Sequence, residues 1–186
     1  SSLPATTKLA RINEVAWMGG LNNSADEWIE LKNISGQIVN LSGWQLLDED
    51  RKIKIIFDKN DEIKPGDFYL LERGADDLSV PGIKANKTYV GGLENSNEVL
   101  SLFASNCELV DEVMADPSWP AGDKDRRRSM ERETESLWVT YEGEGIYGVL
   151  GTPGAENNIS SPKSPNSSDA DGEADHLVIS EIYPDQ

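Results

Sequence analysis

The chain has 186 residues, of which 34 are acidic and 17 basic, giving a formal net charge of −17. Binding a nucleic-acid backbone takes lysines and arginines that neutralise phosphates, so this balance excludes a general nucleic-acid binder and equally disfavours an anionic membrane surface. One cysteine, Cys107, and one histidine, His176, exclude an internal disulfide, a thiolate zinc cluster and any site needing two imidazoles. No run approaches the roughly 18 apolar residues of a membrane helix, so no membrane insertion is expected in this segment.

Along the chain the apolar spacing is mostly two. Strands are expected at Leu9 to Trp17, Glu27 to Asn33 and Val39 to Leu47. Ile53, Ile55 and Phe57 then alternate with Lys52, Lys54, Ile56 and Asp58, and Phe68 and Leu70 alternate with Asp67 and Tyr69. Leu100 and Leu102 flank Ser101, a further strand fits Glu108 to Met114, and Leu137, Val139 and Tyr141 alternate with Trp138 and Thr140. Such alternation is the mark of half-buried strands. Turn formers separate them at Gly19-Gly20, Ser35-Gly36, Pro65-Gly66, Pro81-Gly82, Gly91-Gly92 and Pro117 to Gly122. About eight short strands bounded by turns in roughly 150 residues describe an all-β sandwich or small barrel. Lys124 to Glu135 is polar enough for a loop, an edge strand or a short helix.

The composition changes after residue 156. Residues 1–156 carry 16 basic and 28 acidic groups, whereas 157–186 carry 1 and 6. Residues 157–176, rich in Ser, Pro, Asn and Asp, hold almost nothing apolar to offset the entropy of ordering and read as a linker. Beyond it, Ile179-Ser180-Glu181-Ile182-Tyr183 repeats the pattern of Ile12-Asn13-Glu14-Val15-Ala16-Trp17 with the aromatic displaced by one place. Residues 177–186 therefore read as the first strand of a second copy, which as an uncovered strand predicts weak self-association.

Five ordered blocks resemble a known family. They are Ile12-Asn13-Glu14-Val15-Ala16-Trp17-Met18-Gly19; Asp26-Glu27-Trp28-Ile29-Glu30-Leu31-Lys32-Asn33; Val39-Asn40-Leu41-Ser42-Gly43-Trp44-Gln45-Leu46; Ile63-Lys64-Pro65-Gly66 with Tyr69-Leu70-Leu71; and Ser129-Met130-Glu131-Arg132 with Gly151-Thr152-Pro153-Gly154. Together they resemble the lamin-tail domain in its bacterial form, over about residues 9–157. The resemblance implies an immunoglobulin-like β-sandwich occupying residues 1–156. It also implies a non-catalytic structural or protein-interaction module of a secreted or cell-surface bacterial protein, whose partner is a protein or a cell-envelope component. The alternative it leaves is an accessory targeting domain of a hydrolase that binds carbohydrate or nucleic acid.

Trp28 is expected to cover the sandwich edge or to lie under a loop, while Glu14 and Glu30 receive hydrogen bonds from loop amides or pair with an arginine. Alternation puts Ile29 and Leu31 on one face and Trp28, Glu30 and Lys32 on the other. Gly43 suits a turn that points Trp44 inward with Leu46, and Pro65-Gly66 fits the centre of a type II turn. Arg126, Arg127 and Arg128 form the one dense basic run, but residues 123–135 hold five basic and five acidic groups, so a solvated loop is expected and nucleic-acid contact is not. Met130 is expected inward, with Arg132 reaching a carboxylate or a tryptophan face.

The acidic loops Asp48-Glu49-Asp50, Asp58 to Glu62 and Asp169 to Asp175 offer oxygen ligands for calcium. In the last, the ends of an EF-type loop would fall at Ser167 and Val178, which is the wrong chemistry, and Lys59 opposes a cation in the second, so no metal site is assigned. Cys107 reads as a half-buried inert thiol. No serine elbow, glycine-rich phosphate loop or second histidine is present, so no catalytic or cofactor-binding residue is assigned and the chain is expected not to be an enzyme.

Overall fold

The alternating residues do form strands, and the computed structural model describes them over residues 8–159. Twelve strands are present there: β1 (Ala10–Ala16), β2 (Trp28–Asn33), β3 (Val39–Asn40), β4 (Gln45–Asp48), β5 (Lys54–Ile56), β6 (Glu62–Ile63), β7 (Phe68–Arg73), β8 (Lys87–Tyr89), β9 (Ser96–Phe103), β10 (Leu109–Ser118), β11 (Met130–Arg132) and β12 (Trp138–Thr140). A six-stranded sheet in the order β12-β11-β1-β2-β7-β8 faces a four-stranded sheet, β10-β9-β4-β5, with a short β3-β6 ladder beside them. The architecture is the all-β, immunoglobulin-like sandwich expected. No helix in the described residues is long and apolar enough to cross a membrane.

The core lies between the sheets. Ile12, Val15, Ile29, Leu31, Leu71 and Met130 from the larger sheet meet Leu46, Ile55, Leu100 and Leu102 from the smaller, all essentially buried. Each such side chain contributes about 1.5–3 kcal/mol on leaving water. Phe57 and Tyr69 pack edge to face, their ring centroids 5.5 Å apart.

Ile12 and Val15 share the inner face although three residues separate them. A bulge explains it: Ile12 pairs with Leu31 and Val15 with Ile29, but the register shifts between Ile12 and Glu14. The extra residue puts Asn13 and Glu14 together on the outer face of the sheet. Glu14 then stands opposite Glu30 on one side and Glu131 on the other, so three adjacent strands present a row of glutamates.

Several expectations change in detail. The run Val39 to Leu47 is split into β3 and β4 by a turn in which Gly43 has φ +75° and Trp44 N–H donates to Leu41 O at 2.8 Å. Leu137 was expected inward with Val139. Instead it is exposed and Trp138 is buried, because the pairing of β11 and β12 sets Trp138 opposite Arg132. Trp28 and Glu30 are as buried as Ile29 and Leu31, because loops cover the outer face as well. The polar run 124–135 contains neither helix nor edge strand: β11 lies inside the sheet, between β12 and β1. Most of the linker expected at 157–176, and the strand expected at 177–186 with its self-association, lie outside the described residues.

Candidate interaction surface

Buried carboxylates hold the loops of the sandwich in place. Glu14 Oε1 accepts from the Ser129 hydroxyl at 2.6 Å and from Thr152 N–H at 2.9 Å, and Glu14 Oε2 lies 2.9 Å from the Thr152 hydroxyl oxygen. Glu30 accepts Gly154 N–H at 2.5 Å and the Asn13 amide at 3.1 Å. Glu131 accepts the Thr152 hydroxyl at 2.6 Å and Asn158 N–H at 2.9 Å. Residues 151–158 are thereby strapped across the outer face of the larger sheet, over Trp28. Glu72 does the same for another loop, its Oε2 accepting N–H from Leu78, Ser79 and Val80 at 3.1, 2.9 and 3.2 Å.

The role expected for Glu14 and Glu30 is therefore the observed one, through amides rather than through an arginine. Glu72 and Glu131 had not been singled out. Their only signal was a charged residue inside an otherwise apolar strand.

Crowding carboxylates away from water raises their pKa. Burial lifts that of Glu14 well above the ordinary range, with the neighbouring Glu30 charge adding to it. Burial pushes Glu30 up to about 8, against the opposing bond from Gly154 N–H. Glu131 is raised for the same first cause. These shifts accompany hydrogen bonding to the protein's own backbone, so the carboxyls serve as loop anchors.

Arg132 meets both partners expected of it. Its guanidinium lies 4.4 Å over the Trp138 ring, and Nη2 sits 2.5 Å from Asp111 Oδ2. Trp44 and Met130 point inward as expected, and Pro65-Gly66 occupies the centre of a turn closed by Asp67 N–H donating to Lys64 O at 3.0 Å, with φ +76° at Gly66. All five tryptophans are at most 8% exposed, so none presents a broad indole platform on the outer surface.

The arginine run is not a solvated patch. Arg128 Nη1 donates to Tyr141 O at 2.9 Å and Gly143 O at 3.0 Å, and Arg127 Nη1 donates to Met18 O. Only Arg126 is freely exposed, 3.7 Å from Asp123. Two of the three guanidiniums thus close loops, and the run cannot lie as a unit along a phosphate backbone.

In the acidic loops, ammonium groups stand beside the carboxylates. Lys52 Nζ lies 2.8 Å from both Asp50 and Glu94, and Lys87 Nζ contacts Asp58 and Asp61. Among the described residues no group of three or more His, Cys, Asp and Glu is arranged to hold a metal ion. The third loop, Asp169 to Asp175, lies outside them. Cys107 is exposed, contrary to the half-buried expectation, because it sits at φ +64° in the tip of the β9–β10 hairpin.

At one end of the sandwich four loops surround a polar cleft of about 430 Å³. Glu27, just before β2, Arg73, at the end of β7, Asn95, and Lys124 and Arg127 from the 123–128 loop line it beside Trp17. Glu27 is buried and bonds Arg73 Nη1 at 3.0 Å and Leu93 N–H at 2.8 Å. Burial raises its pKa to about 7 against those two partners.

No curated protein matches the chain. Residues 4–116 match the family described as Lamin Tail Domain. The match ends before β11, but β11 lies inside the larger sheet and the strap 151–158 covers it, so the folded unit continues past the matched residues. With more than half of its length matched, and with a sandwich of the expected kind, the chain belongs to the lamin-tail-domain family.

Proposed function

We infer that the chain is an interaction module of a secreted or cell-surface bacterial protein, displaying loops of fixed shape to a protein or cell-envelope partner. As a lamin-tail domain it is a structural or interaction module of immunoglobulin-like fold. One observation carries the finer reading. The buried acids that could otherwise be candidates for chemistry, Glu14, Glu30, Glu72, Glu131 and Asp111, each accept hydrogen bonds that tether the protein's own backbone. A fold that commits these buried carboxyls to fixing loops has pre-organised surfaces, which lowers the entropy cost of binding.

The hydrolase-accessory alternative draws no support from buried tryptophans and tethered arginines. An antibody against the folded chain tests the reading on the bacterium that makes it. Labelling of intact cells is expected, with sedimentation of the purified chain alongside envelope fractions. Labelling only after permeabilisation would reject the surface assignment.

A further inference from the structure

The loop-end cleft concentrates positive charge on a strongly acidic molecule. Among its lining residues Arg73, Lys124 and Arg127 stand against one acid, Glu27, a formal balance of +2 in a chain of −17, with Glu94 just outside the lining and near enough to raise the Glu27 pKa. At physiological ionic strength the screening length is about 8 Å, so the lining residues rather than the distant carboxylates decide what enters.

Two of these cations are held in position. Glu27 fixes Arg73 through Nη1, and Gly92 gives the guanidinium its room: a Cβ there would lie 2.7 Å from Arg73 Nη1. Arg127 is anchored by Met18 O and adopts φ +59°, a left-handed conformation that side chains rarely adopt. Its loop is closed by reciprocal hydrogen bonds between Asp123 and Arg128 at 2.9 and 3.0 Å. Lys124 is exposed in that loop and lines the opening.

A single guanidinium suffices for a monocarboxylate, through two parallel hydrogen bonds. Three cations from two elements, the end of β7 and the 123–128 loop, suit a dianion with three acceptor oxygens. The cleft is also larger than an inorganic phosphate requires. We propose that this cleft binds a phosphate monoester, its phosphoryl oxygens met by Arg73, Arg127 and Lys124 and its organic part lying between Trp17 and Asn95. The proposal does not rest on the surface assignment above.

The test is amide and side-chain NMR of the full chain titrated with inorganic phosphate, with glucose 6-phosphate and with acetate. Saturable shifts at Arg73, Lys124, Arg127 and the Trp17 indole N–H are expected with both phosphates. Tighter binding of the sugar phosphate than of inorganic phosphate is expected, and equal binding would overturn the placement of the organic part in the cleft. Lys124→Glu should weaken phosphate binding about fivefold or more, the loss of roughly one charge pair and its reversal. Lys64→Ala, in the turn between β6 and β7 and so at the opposite end of β7 from Arg73, about 20 Å along the strand, should leave it unchanged. Absence of saturable shifts, acetate binding as tightly as phosphate, or a Lys124→Glu chain that binds unaltered would overturn the proposal.

Discussion

Arg132 of the six-stranded sheet and Asp111 of the four-stranded sheet form a buried ion pair, Nη2 to Oδ2 2.5 Å, with both side chains 2% exposed. The pair also completes β1. Ile12 N–H donates to Asp111 Oδ2 at 2.8 Å and Ile12 O accepts Arg132 Nε at 3.0 Å, on the side where the β1–β11 pairing recorded at Glu14 and Val15 does not extend to Ile12. Removing either partner strands a buried charge and orphans part of this backbone. Arg132→Ala should therefore cost about 3–5 kcal/mol, lowering Tm by roughly 10 °C. The double variant with Asp111→Ala should cost clearly less than the sum, as a thermal-denaturation cycle will read.

Stability should rise as pH falls from 8 toward 5. In the unfolded chain these glutamates ionise near 4.5, whereas folded Glu30 keeps its proton to about 8 and folded Glu27 to about 7. Between those limits the folded state binds more protons, so the contribution is complete below about 4.5 and is lost as pH climbs through the folded values. A Tm higher by roughly 5 °C at pH 5 than at pH 8 is expected, and Glu30→Gln should flatten the slope. A Tm that increases with pH over this range would reject the assignment.

Gly151 is where the strap passes closest to the sheet. A Cβ there would meet Glu14 Oε1 and lie 2.7 Å from both Ser129 Oγ and Trp28 Cζ2. Gly151→Ala should cost about 1–3 kcal/mol by overpacking and should red-shift the tryptophan emission as Trp28 gains water. Unchanged emission would mean that the strap does not cover that indole.

Cys107 occupies a left-handed backbone position that glycine adopts without strain. Cys107→Gly should stabilise the hairpin by up to about 1 kcal/mol, the relief of strain being partly offset by the freer unfolded chain. In the native protein the thiol should react with a maleimide about as fast as in denaturant, since it is exposed.

Much of the sandwich was legible because period-two alternation survives wherever one face meets the core, as in Ile53-Ile55-Phe57. It failed where something other than alternation sets the phase. The bulge at Asn13 moves Glu14 outward, and Trp138 turns in to stack on Arg132. The parallel pairing of β8 with β7, and the β3–β6 ladder, involve two or three residues each, too few for periodicity to register. Anchoring by Glu14 and Glu30 could be read from carboxylates embedded in apolar strands. The cleft could not, since Glu27, Arg73 and Arg127 become neighbours only through folding. Charge balance alone also misread Arg127 and Arg128, whose acceptors are backbone carbonyls invisible to residue type.

Buried glutamates clamp the loops onto the outer face of the sandwich. Native-state hydrogen exchange at the amides of Ser79, Val80, Thr152 and Gly154 tests it most directly. Those N–H groups should be protected to an extent approaching the strand amides of β1 and β2, and Glu14→Ala should release Thr152 selectively. Exchange of Thr152 and Gly154 at the rate of an unstructured peptide in the intact protein would contradict it.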